Sequence, residues 1–374
     1  MFLSCGDCLF DLFAVPQEDV STIALSGRIG GSPLNVALGL ARLGHHAGYF
    51  TKMSGDLFGE KIRAFMEREA IDQRFLIPTD RQTTLAMVSL APDGSASYAF
   101  YIEGTADRSI EPEEVPQSLP AEVEVVHVAS YSTVTEPTAS ALLQLVRQEA
   151  PNRFISYDPN IRASIEPDLD VWRAKVAELV PLAGLVKASE EDIAQLYPGR
   201  AVDSVVGEWI SAGAEIAVVT LGEHGAIAAT SRGETAKVAG RAVTVVDTVG
   251  AGDTFQAALL AGLKERGALS RAAIAGFARS DVEELVGRDL ADHQAAVRRQ
   301  GGSRHLHAQG GGSAPARRTG ACAARLTRNG GARAILRTGA GNFQRSTRKG
   351  PTDAIRRPFC VSKRGERPRP PGSS

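Results

Sequence analysis

The sequence predicts an α/β fold: a doubly wound, mostly parallel sheet with helices on both of its faces. Two features of the first 286 residues predict it. Short apolar runs alternate with amphipathic stretches, and the apolar runs are nearly continuous instead of alternating with polar residues. Strands that are covered by helices on both sides need this continuity. A third observation is the length of 374 residues, which is enough to bury a substantial core.

Seven of the apolar runs are predicted to be strands of this sheet. Each is short and rich in Val, Ile, Phe or Ala, which favours a buried strand over a helix. They are residues 2–7, 47–52, 123–128, 153–158, 184–188, 215–220 and 226–230.

Residues that favour helix ends mark several helix starts. Ser32 is predicted to cap a helix with Pro33 at its first position, and Ser189 to cap another. An apolar stripe at helical spacing follows Gly252, so a third helix is expected to begin at about that residue. Asp253 would then lie in a first helical turn.

Two parts of the chain, about residues 8–29 and 85–105, are predicted to form a small β lid. The dipeptide Asp93-Gly94 is a strong hairpin signal between two runs of strand-forming residues. A lid over the carboxyl ends of a doubly wound sheet would enclose a ligand there.

Charge is divided unevenly along the chain. Residues 287–374 hold 19 Lys and Arg against 4 Asp and Glu, so the first 286 residues carry a net charge of −16. Such an acidic surface disfavours nucleic acid or an anionic membrane as the main partner. We expect neither a membrane span nor a secretory signal, because no apolar run is long enough and the first residues lack a basic stretch. The four scattered cysteines favour the cytoplasm.

The stretch DTVGAGDTF, residues 247–255, carries the chemistry. The first N–H groups of a helix lack intrahelical partners, and the small residues at 250–252 let an anion approach them closely. Asp253 would repel a resting phosphate, yet it could accept a proton from an alcohol that attacks one. The combination points to phosphoryl transfer to a hydroxyl. Taken alone, Asp253 could equally serve only to stabilise the helix dipole.

Two segments resemble the signatures of the ribokinase-like (PfkB) carbohydrate kinases. DTVGAGD at 247–253 resembles the second signature and GGSPLNVA at 30–37 resembles the first. Further motifs match in order over about residues 1–286, and bacterial fructokinases are the most similar members. The resemblance implies a ribokinase-like fold and ATP-dependent phosphorylation of a sugar hydroxyl, with Mg²⁺ required and K⁺ as a candidate ion.

The resemblance also implies the roles of individual residues. Asp253 matches the catalytic base, and the N–H groups of Gly250, Ala251 and Gly252 match the anion hole for the transferred phosphoryl group. The residues that match sugar contacts are Asp11, Gly30, Gly31, Asn35, Phe100 and Arg162.

Other matches concern the nucleotide and the ions. Lys187 and Glu190 fall on the family's N-x-x-E motif, where Glu190 would act on Mg²⁺ through water and Lys187 replaces the usual Asn. Thr220, Gly222 and Gly225 match the nucleotide loop, while Asp247 and Thr248 match residues near a monovalent-cation site.

The sugar is indicated by YAFYIEGTADRS, residues 98–109, which resembles a segment of bacterial fructokinases. D-fructose is therefore favoured, and ribose, 2-keto-3-deoxygluconate and nucleosides stay open. A catalytically impaired relative that only binds sugar is the alternative function. Because lid strands in this family often pair between subunits, a homodimer through the lid is also an open expectation.

Residues 287–374 lose the apolar periodicity and are rich in Gly, Arg, Ala, Ser and Pro. We expect no packed structure there. One explanation is a reading frame that has shifted near residue 287 in a GC-rich gene, which would leave the kinase domain, residues 1–286, truncated. The other is a natural basic arm that binds nucleic acid or acidic partners.

Overall fold

A computed structural model describes residues 1–15, 19, 21–90, 96–240 and 250–287, with only the backbone described at 89–90 and 96–98. The predictions for Asp247 and Thr248 lie outside the described residues. So do those for the basic segment beyond Gly287 and for the turn at Asp93-Gly94.

Thirteen strands are present in the described residues. They are β1 (Phe2–Cys5), β2 (Leu9–Val15), β3 (Ala24–Gly30), β4 (Ala47–Ser54), β5 (Leu76–Thr79), β6 (Thr84–Leu90), β7 (Ala96–Tyr101), β8 (Val125–Ala129), β9 (Phe154–Asp158), β10 (Leu185–Ser189), β11 (Ile216–Thr220), β12 (Ala226–Thr230) and β13 (Thr235–Val238).

Nine of these strands form the central sheet, in the order β5-β4-β1-β8-β9-β10-β11-β12-β13. All neighbours from β5 to β11 pair in parallel, and β12 and β13 are antiparallel to the strands before them. The mostly parallel sheet and all seven predicted strands are thereby confirmed. The sequence did not predict β5 and β13, which have four residues each and lie at the two edges.

The helices cover both faces of this sheet, as predicted. The helices are α1 (Ser32–Arg42), α2 (Leu57–Arg68), α3 (Thr138–Glu149), α4 (Leu169–Leu179), α5 (Glu190–Leu196), α6 (Val202–Ala212), α7 (Ala251–Glu265), α8 (Arg271–Ile274) and α9 (residues 279–287). The core on one face of the sheet includes side chains of α3 to α6, and the core on the other face includes side chains of α1, α2, α7 and α9. Within the described residues, no helix combines the length and the apolar character needed to cross a bilayer.

The start of α1 corrects one prediction. The N-cap is Gly31, with a φ of 113°, and Ser32 is the first helical residue, so its hydroxyl does not cap the helix. A Cβ atom at position 31 would lie 2.4 Å from the carbonyl oxygen of Asp7, so only glycine fits there. The cap predicted at Ser189 is confirmed, because its side chain accepts a hydrogen bond from the N–H of Asp192.

The remaining strands form a separate four-stranded sheet in the order β3-β2-β6-β7, which is the predicted lid. In it β2 pairs antiparallel with β3 and parallel with β6, and β6 pairs antiparallel with β7. Leu9, Asp11 and Phe13 alternate along β2 with residues on the opposite side, so they share one face of the lid. That face lines the cavity described next.

Candidate active site

A cavity of about 280 Å³ lies where the strand order of the central sheet reverses. The chain passes from β1 to β4 on one side and returns to β8 on the other, so β1 and β8 flank the crevice in which doubly wound folds bind ligands. Asp7 follows β1, and Ser130 and Tyr131 follow β8; all three line the cavity. The lid supplies Asp11 and Phe100 from above the same space.

The start of α7 forms one wall of this cavity. Gly250 is the N-cap and adopts a left-handed conformation with a φ of 75°, after which Ala251 and Gly252 begin the helix. The N–H groups of a first turn have no intrahelical acceptor and carry the positive end of the helix dipole. Gly250 and Asp253 line the cavity directly, and Asp253 is only 7% exposed.

Three side chains from other elements hold the carboxylate of Asp253. Ser32 donates its hydroxyl to Oδ1 at 2.7 Å, and Asn35 donates its amide to Oδ2 at 2.8 Å. Asn160 donates to the hydroxyl oxygen of Ser32 at 2.6 Å and, at 3.5 Å, to Oδ1. The orientation of the carboxylate is thus fixed by α1 and by the loop after β9. Sequence reasoning gave Asn35 a sugar role and Ser32 a cap, and it assigned no role to Asn160.

Five of the six predicted sugar-contact residues line the cavity, namely Gly31, Asn35 and Arg162 together with Asp11 and Phe100 of the lid. Gly30, the sixth, packs against the Asp11 side chain: a Cβ atom at Gly30 would be 2.4 Å from Oδ2 of Asp11. Burial raises the pKa of Asp11 to about 6, and Arg162 acts in the opposite direction. The Arg162 guanidinium itself is held by Asn160, whose Oδ1 accepts from it at 2.7 Å.

Asp7 is a buried carboxyl of this cavity that sequence reasoning missed. It is 1% exposed, and its Oδ2 accepts a hydrogen bond from the N–H of Ser32 at 3.3 Å. Burial raises its pKa to about 8; Asp107 acts in the same direction and Arg162 opposes. The available signal was a lone carboxylate directly after an apolar strand, at the end of a sheet where ligands bind.

Lys187 lies on β10 and is next to the start of α7. Its ammonium group is 2.8 Å from Oδ2 of Asp158, and a Cβ atom at Gly252 would lie 2.9 Å from its Nζ. Burial disfavours the charged form, but Asp158 and further carboxylates together raise the pKa of Lys187 above its usual value. The structure therefore places a buried positive charge next to the first turn of the helix that carries Asp253.

The other predicted nucleotide residues lie together at the carboxyl ends of β10 and β11. Glu190 is the exposed first residue of α5, directly after β10, and Thr220 ends β11. Gly222 has a φ of 57°, and no described heavy atom lies within 4 Å of where its Cβ would be. At Gly225 a Cβ would meet backbone atoms of the chain after β13, so this turn requires glycine. No three His, Cys, Asp or Glu side chains of the described ranges are grouped to hold a metal ion.

The sequence pattern of the pfkB family carbohydrate kinases matches residues 1–282. A fructokinase of Rhizobium leguminosarum bv. trifolii is 34% identical over 280 residues, which are 74% of this chain and 84% of that relative. A fructokinase of Vibrio alginolyticus is 30% identical over 258 residues, which are 68% of this chain and 81% of the relative.

Two solved structures share the fold. The fructokinase of Xylella fastidiosa with bound ATP superposes with a TM-score of 0.71 at 24% identity, covering 79% of this chain and 91% of its own. The fructokinase of Vibrio cholerae O395 in its fructose, ADP and calcium ion bound form gives 0.66 at 26% identity, covering 79% and 92%. The predicted ribokinase-like fold is therefore confirmed.

Proposed function

Because the chain belongs to the pfkB family of carbohydrate kinases, we propose that it transfers the γ-phosphoryl group of ATP to a hydroxyl group of D-fructose. One observation carries the proposal: the Asp253 carboxylate, at the start of α7, is held at the cavity by Ser32 and Asn35. The choice of sugar is supported by the relatives named fructokinases and by the fructose-bound Vibrio cholerae structure.

In the proposed reaction Asp253 is the general base. It takes the proton of the sugar hydroxyl as that oxygen attacks the γ-phosphorus, and the bond to the β-phosphate oxygen of ATP breaks. Negative charge on the transferred group then faces the first turn of α7, where the N–H groups of Gly250, Ala251 and Gly252 receive it. Lys187 adds a positive charge beside the same turn.

Bound ATP and Mg²⁺ fit the residues of the nucleotide side. Magnesium is commonly held by one or two carboxylates together with substrate phosphates and water. Glu190, exposed at the carboxyl end of β10, is the carboxylate that we assign to it, acting through water. Thr220, Gly222 and Gly225 would let the backbone approach the nucleotide, and we retain Asp247 and Thr248 as candidates for binding K⁺.

The lid is also expected to exclude water from the site. Asp11 and Phe100 reach the cavity from the lid, whereas Asp253 belongs to the central domain. A closed lid keeps the attacking hydroxyl of the sugar from being replaced by water, so that ATP is not hydrolysed. We also propose the cytoplasm as the compartment, which agrees with the free, buried thiols of Cys5 and Cys8.

The test is ADP release from ATP with D-fructose, with ribose, 2-keto-3-deoxygluconate and a nucleoside as competing acceptors. Fructose is expected to give the highest kcat/KM. Asp253→Asn is expected to lower kcat by about 10²–10⁴-fold, the usual contribution of a general base. Asp203→Asn is the matched control, because Asp203 is an exposed carboxylate paired with Lys237 on the surface, and it should leave kcat unchanged.

Two results would count against the proposal. Turnover that survives Asp253→Asn would refute the assignment of the base. Binding of fructose without any ADP release by the unaltered protein would favour the catalytically impaired alternative.

A further inference from the structure

Asp7 lines the cavity, and one of its carboxyl oxygens has no hydrogen-bond partner among the described residues. We propose that Asp7 binds a hydroxyl group of the sugar through its Oδ1 and so helps to select the substrate. This inference rests on the proposed kinase function and assigns a role to a residue outside the predicted sugar contacts.

The geometry of Asp7 supports this role. The residue lies two positions after the end of β1, at the crevice where the strand order reverses. It is 1% exposed, and it lines the cavity. Its Oδ2 is hydrogen-bonded to the N–H of Ser32, while Oδ1 is buried and has no partner among the described residues. A buried polar atom that stays unpaired destabilises the folded state, so a hydroxyl that enters the cavity gains from pairing with it.

A neighbouring carboxyl shows what a purely structural aspartate looks like in this fold. Asp107 is equally buried, but hydroxyl groups satisfy both of its oxygens: that of Thr84 donates to Oδ1 at 2.5 Å and that of Tyr131 donates to Oδ2 at 2.6 Å. Asp7 lines the cavity, and the hydroxyl of Ser132 lies near its carboxyl group. That hydroxyl donates its hydrogen to the carbonyl oxygen of Ala129 at 2.7 Å, so Oδ1 of Asp7 is left open to a ligand.

The charged and titratable neighbours of Asp7 also favour binding of a sugar hydroxyl by its carboxyl group. Asp107 faces it from the segment after β7, Arg162 from the loop after β9, and Cys8 is adjacent in the chain. Tyr49 of β4 donates its hydroxyl to the Asp7 carbonyl at 2.6 Å. Burial and Asp107 raise the pKa of Asp7 to about 8, against the opposing effects of Arg162, the backbone N–H of Asp7 and the hydroxyl of Ser132, so the carboxyl holds a proton at neutral pH. A protonated carboxyl both donates and accepts, which matches a hydroxyl group.

Ser32 places this contact close to the reacting end of the sugar. Its N–H donates to Asp7 and its hydroxyl donates to Asp253, so a single residue lies between the two carboxyl groups. A sugar whose hydroxyl faces Asp253 therefore also reaches Asp7. The proposal thus predicts selectivity for a second hydroxyl near the phosphorylated one.

Calorimetric titration of the full chain tests the contact. Asp7→Ala, and Asp7→Val, which fills the space with apolar atoms, should weaken D-fructose binding at least tenfold and change ATP binding by less than twofold. Asp7→Asn keeps a donor and an acceptor, so its fructose affinity should stay within about threefold of the unaltered protein. Fructose affinities of the Ala and Val variants equal to that of the unaltered protein would overturn the proposal.

Monodeoxy analogues of D-fructose identify the hydroxyl. The unaltered protein should bind one analogue at least tenfold more weakly than fructose, and Asp7→Val should bind that analogue and fructose equally. If Asp7→Val discriminates among all analogues as the unaltered protein does, Asp7 contacts no hydroxyl. A protein that phosphorylates fructose but fails this test refutes only the role of Asp7, whereas one that neither binds nor phosphorylates fructose refutes the proposed function as well.

Discussion

At the scale of single residues, the site depends on how Asp253 is held. Asn160 contacts it from a backbone conformation with a φ of 40°, which non-glycine residues seldom adopt, although Asn tolerates it better than most. The same side chain bonds Ser32 and receives Arg162. Backbone conformations of this kind cluster at functional sites. The loop after β9 is therefore shaped to bring one amide to three groups of the cavity.

The buried pair of Lys187 and Asp158 allows stability and catalysis to be separated. Removing one partner leaves a buried charge unpaired, so Lys187→Met should lower the free energy of unfolding by about 3–5 kcal/mol. It should also lower kcat, because the positive charge beside α7 is lost. Adding Asp158→Asn should restore much of the stability without restoring kcat. Chemical denaturation and the ADP-release assay measure the two quantities.

An exposed ion pair provides the control for these variants. Lys237 is paired with Asp203 at 2.9 Å, but both side chains are more than half exposed. Lys237→Met should therefore change neither the free energy of unfolding nor kcat measurably. A double variant of Lys187 and Asp158 that regains full kcat would contradict the proposed role of the ammonium group.

Most of the residues that the sequence predicts as sugar contacts lie at the cavity, and their roles stay predictions. Asp11 lies on β2 of the lid, Asn35 near the start of α1 and Arg162 in the loop after β9, and all three line the cavity. Ser32 was misread, because Ser before Pro at a helix start ordinarily signals a cap, whereas here Gly31 occupies that position. The position of Asp7 after an apolar strand was a usable signal, but the sequence does not show that one of its carboxyl oxygens is buried without a partner among the described residues.

At the scale of elements, the contact between α1 and α7 joins the two halves of the site. A Cβ atom at Gly39 of α1 would lie 2.6 Å from the Cβ of Ala257 on α7, so glycine permits the close approach. This approach keeps Ser32 and Asn35, near the start of α1, within hydrogen-bond distance of Asp253. The positions of the three residues therefore depend on helix packing.

Gly39→Leu is expected to force the helices apart and to lower the melting temperature and kcat together, because overpacking typically costs about 1–3 kcal/mol. Gly207→Ala is the matched control: Gly207 lies inside α6, and no described heavy atom is within 4 Å of its Cβ position. That change should stabilise the protein by roughly 0.5–1 kcal/mol and leave kcat unchanged. A Gly39→Leu protein that melts at a lower temperature but keeps its kcat would show that the helix contact does not position the base.

The element-scale predictions from the sequence succeeded for buried strands and failed at the edges. The seven predicted strands were found because each is buried on both faces, and such a strand is a continuous apolar run in the sequence. β5 contains Pro78 and β13 contains Lys237, and such residues are tolerated at an edge. Edge strands are defined by their neighbour in space, which local sequence does not specify.

At the scale of the whole molecule, the lid exposes apolar side chains that the central domain does not cover. Val15 at the end of β2 is 44% exposed, Ile23 before β3 is 64% exposed and Leu25 on β3 is 43% exposed. Among the strands that the structure describes, β3 is also an edge strand of the four-stranded sheet, and the backbone groups of an edge strand can pair with another strand. Exposed apolar residues next to an open strand edge are typical of an interface.

We therefore predict that two copies of the chain pair through their lids, and that Ile23→Lys combined with Leu25→Lys prevents this pairing. Sedimentation velocity should show a dimer for the unaltered protein and a monomer for the double variant, with equal far-UV circular dichroism. Leu43→Lys is the control, because Leu43 is 46% exposed at the opposite end of α1 from the cavity. Because Asp11 and Phe100 of the lid line the cavity in which we propose that the sugar binds, we expect the monomer to have a raised KM for the sugar and an unchanged KM for ATP. A double variant that still sediments as a dimer would place the interface elsewhere.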